Sequence, residues 1–298
     1  MDPAVPGALL AVLPRLRCPV GGEDLTADGR TLVCSAGHRL DVARQGYVNL
    51  AVGARPHAGD TAAMVAAREE FLGAGHYAPV VAALAGCAGE LVPAAEFVVD
   101  VGGGTGHYLA AVLDALPQAH GVCLDTSTPA LRRAARAHPR AAAVGADVWR
   151  GLPFGDATAD LVTTVFAPRG TAEVTRVLRP GGTWIVLTPR PEHLAELREG
   201  LGIIAVDPRK DERLAVETAG FEPVDTRDVR AVTTFDRAAL RSLVLMGPNA
   251  HHIGADVLDE RLAALPAAVD VTVAVRLTVV RRPAAPPDPS TTRHSPPP

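Results

Sequence analysis

Glycines at 102, 104 and 106 follow an apolar run and a carboxylate in the stretch VVDVGGGTG, Val98 to Gly106. Glycine lets a main chain pass where any side chain would collide with a ligand, and a helix opening at His107 would aim its N-terminal amides at the same spot. The chemistry this implies is the holding of a nucleotide-like group, with Asp100, Thr105 and His107 around the loop. Asp125 ends the next apolar run, HGVCLD, about twenty residues further on, where a carboxylate can accept both hydroxyls of a ribose. Asp147, with Val148 after it, is placed to accept from an adenine amino group. At Phe166, Ala167, Pro168 and Arg169 another apolar run ends in an aromatic ring and a cation. Phe166 can stack on a base and Arg169 can meet a phosphate or a base edge.

Positioning these residues takes alternating strands and helices. The spacing predicts a strand into the glycine loop, a helix over His107 to Ala115, a strand over His120 to Asp125 and a helix over Pro129 to Ala137. A third strand follows within AAVGADVWRGLPF, a fourth over Leu161 to Phe166, and a fifth in LRPGGTWIVLTP, Leu178 to Pro189. After a helix-rich stretch from Pro191 to Glu217, strands over Glu222 to Thr233 and Val269 to Arg281 close the pattern as an antiparallel hairpin. The fold class is α/β, a Rossmann-like seven-stranded sheet. The turn Arg179-Pro180-Gly181-Gly182 before an apolar strand points to a class I S-adenosylmethionine-dependent methyltransferase. A nicotinamide enzyme is the rival, because Asp125 would serve either cofactor, but a second mononucleotide-binding half is missing.

The composition agrees with one large domain and a smaller attachment: 298 residues, 48% hydrophobic. No apolar stretch approaches membrane-spanning length, and Asp2, Pro3 and Pro6 stand where a signal peptide carries basic residues, so a cytoplasmic protein is expected. The division expected is a knuckle-like segment over 1–57, a helical linker over 58–95, a catalytic domain over 96–281 and a proline-rich, extended tail over 282–298. The net charge of −4 does not favour nucleic acid, although residues 1–57 carry six arginines against five acids. An RNA grip would therefore have to come from folding, with Arg15, Arg17, Arg39, Arg44 and Arg55 converging on the cofactor cleft.

Cysteine spacing adds a second kind of chemistry. Cys18-Pro-Val-Gly21 and Cys34-Ser-Ala-Gly-His38 follow the spacing of a zinc knuckle, but Gly21 stands where a second ligand belongs and has no side chain. Structural zinc takes four ligands. Three readings compete: a three-ligand site completed by water or by Glu23 or Asp24, a metal-free segment, or a pairing of Cys18 with Cys34. Cys87 and Cys123 read as small apolar residues.

Four segments then carry a specific resemblance: HRLDVARQGYVNL (His38 to Leu50), GDTAAMVAAREEFLGAGHYAPV (Gly59 to Val80), DVGGGTGHYL and PRPEHLAEL (Pro189 to Leu197). Together they resemble the bacterial 23S rRNA guanine-N1 methyltransferases, in the branch of the tylosin-resistance methyltransferase of macrolide producers. The likeness runs to about residue 281. It implies a zinc-binding N-terminal segment that helps grip an rRNA hairpin at the peptide exit tunnel, a class I catalytic domain and a homodimer. It also implies that Tyr77, Gly106, His107 and His193 line the S-adenosylmethionine pocket and that Cys18, Cys34 and His38 are zinc ligands. A small-molecule acceptor, or cofactor binding without catalysis, is the alternative on the same scaffold.

Overall fold

The computed structural model describes residues 5–51, 59–247, 250 and 252–284. Arg55, His251 and most of the proline-rich tail lie outside the described residues. The chain opens with helix α1 (Gly7–Val12), then a small antiparallel sheet of β1 (Leu25–Asp28), β2 (Thr31–Cys34) and β3 (Arg39–Asp41), and the short β4 (Val48–Asn49). Helices α2 (Ala62–Gly73) and α3 (Ala78–Leu91) lead into the alternating part: β5 (Phe97–Val101), α4 (His107–Ala115), β6 (His120–Asp125), α5 (Thr128–Ala134) and β7 (Ala141–Gly145). It continues through β8 (Ala159–Val165), α6 (Thr171–Val177), β9 (Leu178–Pro189), α7 (Arg198–Leu201), α8 (Lys210–Glu217), β10 (Glu222–Asp236), α9 (Arg237–Leu245), α10 (Ala255–Ala264) and β11 (Ala268–Arg281).

The main sheet runs β10-β11-β9-β8-β5-β6-β7-β4. Strands β5 to β9 pair in parallel, while β11 lies antiparallel between β9 and β10. All five residues of β5 and of β7 are buried, as befits parallel strands covered by helices on both faces. Seven of these strands are the ones expected. The eighth, β4, comes from the N-terminal segment, where Val48 and Asn49 pair with Val144 and Gly145 of β7. Glycine at 145 makes the approach possible, because a Cβ there would lie 2.4 Å from the Asn49 side-chain oxygen.

Two apolar layers flank the sheet. One packs α3, α4 and α9 over its first face around Val98, Leu109, Leu240 and Val273. On the other, Leu9, Val12, Leu16 and Leu50 of the N-terminal segment bury with Val99, Val122, Val144 and Trp184 of the sheet. Trp184 is fully enclosed and its indole N–H donates to Thr164 Oγ1 at 3.0 Å, which meets the hydrogen-bonding need of a buried ring. Among the described residues no single helix is long and apolar enough to cross a membrane.

Candidate functional site

Strand order reverses between β5 and β8, and a cavity of about 690 Å³ opens there, beyond the carboxyl ends of the parallel strands. Its wall gathers Gly102, Gly104 and Thr105 from the loop after β5, Asp125 from the end of β6, and Asp147 with Val148 after β7. Phe166 and Pro168 follow β8, Tyr77 heads α3, and His193 follows β9. Residues spread over more than a hundred positions of sequence thus face one volume.

The glycine loop is shaped by contacts that only hydrogen at Cα allows. Gly102 and Gly104 adopt φ of +69° and +57°, and a Cβ on Gly102 would lie 2.5 Å from that of Ala167. Asp125 ties the loop to β6: its Oδ2 accepts from Gly104 N–H at 2.9 Å and its Oδ1 from Ser127 N–H at 2.8 Å. Burial pushes this carboxyl up, and the two amides oppose the shift. Each carboxylate oxygen still has a lone pair for a ribose hydroxyl. Asp147 is buried, and its Oδ1 accepts from Trp149 N–H at 3.1 Å.

Four expected contacts stand outside that wall. Asp100 lies beneath the loop, fully buried, with Thr163 Oγ1 donating to its Oδ1 at 2.7 Å and no partner at Oδ2. Burial pushes its carboxyl up to about 7. Gly106 serves packing, since a Cβ there would come within 3.0 Å of Ala137 Cβ and 3.2 Å of Ala134 Cα. His107 begins α4 and is not among the residues that line the cavity, whereas Tyr108, one helical step on, is. Arg169 is drawn off the wall by Glu217 of α8, at 2.5 Å.

Arg68 is the main residue that spacing alone did not single out. Its guanidinium pairs with Asp60 at 2.5 Å, donates to the Met246 carbonyl at 2.7 Å, and would lie 3.0 Å from a Cβ on Gly104. The signal was present, because Met64, Arg68 and Leu72 recur every four residues on α2 and all face the cavity.

Opposite the loop, Tyr77, Phe166 and His193 form an aromatic cluster. The Phe166 and His193 rings stack with centroids 5.9 Å apart at 25°, and the Tyr77 ring lies 5.9 Å from His193. His193 Nδ1 accepts from Ala274 N–H at 3.2 Å, which assigns the ring proton to Nε2, from where it is donated to Tyr77 Oη at 3.3 Å. Burial pushes His193 down to about 4 and Tyr77 well above its ordinary value, so both are neutral near pH 7. Phe166 sits at φ +53°, strained for a side chain of that size, and is 41% exposed. Trp149, on the same wall, is 59% exposed.

A second cavity, of about 550 Å³, is lined by both the N-terminal knuckles and the catalytic part, with Arg17, Cys18 and Pro19 from the one and Asp147, Arg150 and Arg176 from the other. The expected convergence on the cofactor cleft is not found: none of Arg15, Arg17, Arg39 and Arg44 lines it; Arg17 lines only the second cavity, Arg15 lies over the Phe97 ring at 4.8 Å and Arg39 pairs with Asp28 at 2.9 Å. In the knuckles, His38 Nδ1 lies 3.5 Å from Cys18 Sγ and 3.2 Å from Cys34 Sγ, and both cysteines are free thiols. Two thiols and an imidazole so arranged suit zinc, which takes sulfur and nitrogen ligands tetrahedrally.

Residues 98–182 match a family described as a methyltransferase domain, and residues 16–51 match the zinc ribbon described as RlmA, N-terminal. A protein of Micromonospora griseorubida named as a putative 23S rRNA (guanine-N(1)-)-methyltransferase is 51% identical, covering 91% of this chain and 98% of its own length. The 23S rRNA (guanine(748)-N(1))-methyltransferase of Streptomyces fradiae is 48% identical, with 91% of this chain and 98% of that protein covered. A Bacillus subtilis relative named as a putative 23S rRNA (guanine-N(1)-)-methyltransferase is 32% identical over 78% of this chain and 86% of its own. The chain is an S-adenosylmethionine-dependent methyltransferase and belongs to the 23S rRNA guanine-N1 methyltransferase family.

Proposed function

We propose that this protein methylates N1 of a guanine in a 23S rRNA hairpin at the peptide exit tunnel, at the position equivalent to guanine 748 of the Streptomyces fradiae relative's name, and that it gives its host macrolide resistance. The observation that carries this reading is the extent of the likeness, which includes the knuckles as well as the catalytic part. A malonyl-[acyl-carrier protein] O-methyltransferase of Methylococcus capsulatus is 34% identical, but over only 37% of this chain.

Bound S-adenosylmethionine supplies a methyl group already activated by positive charge, so the chain's contribution is placement. Asp125 accepts from the ribose hydroxyls, Asp147 from the adenine amino group, and Arg68 brings a cation over Gly104. Phe166 and Trp149 offer exposed aromatic faces to a guanine extruded from its stack. In His193, Nδ1 is occupied by Ala274 N–H and Nε2 already holds its proton, so the imidazole has no free site for another. Its role is to orient the Tyr77 hydroxyl, whose own proton is left to donate into the cleft. With the cofactor held there, transfer to N1 would release the N1 proton to a general base or to water, and His193, with both ring nitrogens engaged, is not that base.

Purified protein incubated with radiolabelled S-adenosylmethionine and unmodified 23S rRNA tests the reading. Primer extension is expected to stop at a single guanine of an exit-tunnel hairpin, because N1 methylation blocks base pairing. Full-length extension with no label in the RNA, from protein that binds the cofactor, would overturn it. An rRNA substrate supports a cytoplasmic location. The resemblance supports a homodimer, for which sedimentation at micromolar concentration is expected to show twice the chain mass.

A further inference from the structure

The knuckle that lacks a ligand at position 21 is not open. We propose that Glu23 supplies the missing ligand, so that Cys18, Glu23, Cys34 and His38 hold one zinc ion through two thiolates, an imidazole and a carboxylate.

Four observations converge. Ligand atoms of these four residues all lie within 4.8 Å of one another. The 3.2 and 3.5 Å separations of His38 Nδ1 from the two sulfurs match the edges of a tetrahedron, about 3.5 Å, drawn around zinc with its usual bonds to nitrogen and sulfur. A Cβ built on Gly21 would lie 2.2 Å from Glu23 Oε1 and 2.4 Å from Oε2, so the carboxylate occupies the volume that a ligand side chain at 21 would enter. Glu23 Oε2 is buried and has no hydrogen-bond partner, a costly state for a carboxylate unless a cation shares its site.

The backbone explains why residue 23 can reach. Gly22 turns at φ +83° and donates to the Cys18 carbonyl at 2.8 Å, and Cys18 N–H donates to the Glu23 carbonyl at 2.8 Å, folding the chain back so that 23 lies beside 18. The second knuckle closes in the same way, with Gly37 N–H on the Cys34 carbonyl at 3.0 Å and Cys34 N–H on that of His38 at 3.2 Å. Asp24, the other nearby acid, points out and pairs with Arg17 at 2.9 Å with its side chain 83% exposed. Charge is conserved, since a glutamate brings the same single negative charge as the thiolate that a cysteine at 21 would bring.

The test uses the full chain and the metal alone. Wild-type protein is expected to carry one zinc by elemental analysis, and its cobalt-substituted form to show tetrahedral ligand-field bands with charge transfer from two thiolates. Glu23→Ala is expected to weaken zinc by about 100-fold or more in competition with a chromophoric chelator, because it removes one ligand of four. Glu23→Ala combined with Gly21→Cys is expected to restore tight binding and to strengthen the thiolate band by a third donor. Calorimetric binding of S-adenosylmethionine verifies that each variant is folded. Zinc affinity and cobalt spectrum unchanged in folded Glu23→Ala would overturn the proposal. Wild-type protein without zinc, alongside a zinc-loaded double variant, would also overturn it.

Discussion

Buried ionisable groups define the residue scale of this cleft. Asp100 is the extreme case: it is fully enclosed beneath the glycine loop, one oxygen has no partner, and its carboxyl is pushed up to about 7. In the unfolded chain an aspartate ionises near 3.8. The folded state therefore holds this proton more tightly, and the stability that Asp100 contributes is fully present below the unfolded value and is lost as pH rises towards about 7. The full difference is of order 4 kcal/mol. Thermal unfolding of the cofactor-free protein is expected to show a melting temperature several degrees lower at about pH 8 than at about pH 5, with a flatter profile in Asp100→Asn. Equal pH slopes in the two proteins would mean that Asp100 ionises as an ordinary carboxylate. Trp149 poses a separate question, since an indole 59% exposed on a cavity wall has no packing reason to be there. Trp149→Ala is expected to lower kcat/KM for rRNA by about 10- to 100-fold, the worth of one base stack, and to leave S-adenosylmethionine affinity unchanged. A matched loss of cofactor affinity would place the ring against the adenine instead.

Elements meet at the site through a few side chains rather than through shape alone. Asp125, at the end of β6, holds the loop after β5 by Gly104 N–H and the start of α5 by Ser127 N–H. Its removal therefore loosens the pocket as well as deleting a ribose contact. Asp125→Ala is expected to weaken S-adenosylmethionine binding by roughly 100-fold or more by calorimetry, the loss of charge-assisted hydrogen bonds; unchanged affinity would move the ribose elsewhere. This strand-loop-helix unit was legible in the sequence, because an apolar run, a carboxylate and glycines at fixed offsets are local signals. Thr61 caps α2 in the structure, its Oγ1 accepting from Met64 N–H at 3.2 Å. Orientation around a helix start was not legible: His107 and Tyr108 are adjacent, and only the packed structure decides which faces the ligand. Arg169 fell outside the wall for a similar reason, since its partner Glu217 lies 48 residues away. In the N-terminal segment, spacing marked the empty ligand position and offered Glu23 or Asp24 for it, but the choice rests on a turn at Gly22 that brings one acid inward and leaves the other in solvent.

The whole molecule has no clean seam between its knuckles and its catalytic part. Strand β4 extends the main sheet, Leu16 pairs with Phe154 by an isolated antiparallel bridge, and Arg17 N–H donates to the Pro153 carbonyl at 2.9 Å. Beneath these contacts Leu9, Val12, Leu16, Val48 and Leu50, each at most 3% exposed, bury against the face of the sheet that carries Val99, Val122 and Trp184. Five such side chains at about 1.5–3 kcal/mol each amount to as much as a typical domain's entire stability, so the sheet cannot uncover that face and stay folded. Reading residues 1–57 as a unit apart therefore has a thermodynamic consequence that differs from reading them as part of one core. We expect calorimetric unfolding of the full chain to give a single cooperative transition, with calorimetric and van't Hoff enthalpies equal. Zinc chelation is expected to lower that transition rather than to split it, because the knuckles share their apolar contacts with the sheet. A chain beginning at residue 59 is expected to bind hydrophobic dyes and to show no sharp transition. Two resolved transitions in the full chain, with only the lower one sensitive to chelation, would instead mark the N-terminal segment as an independently folding unit docked on a self-sufficient methyltransferase.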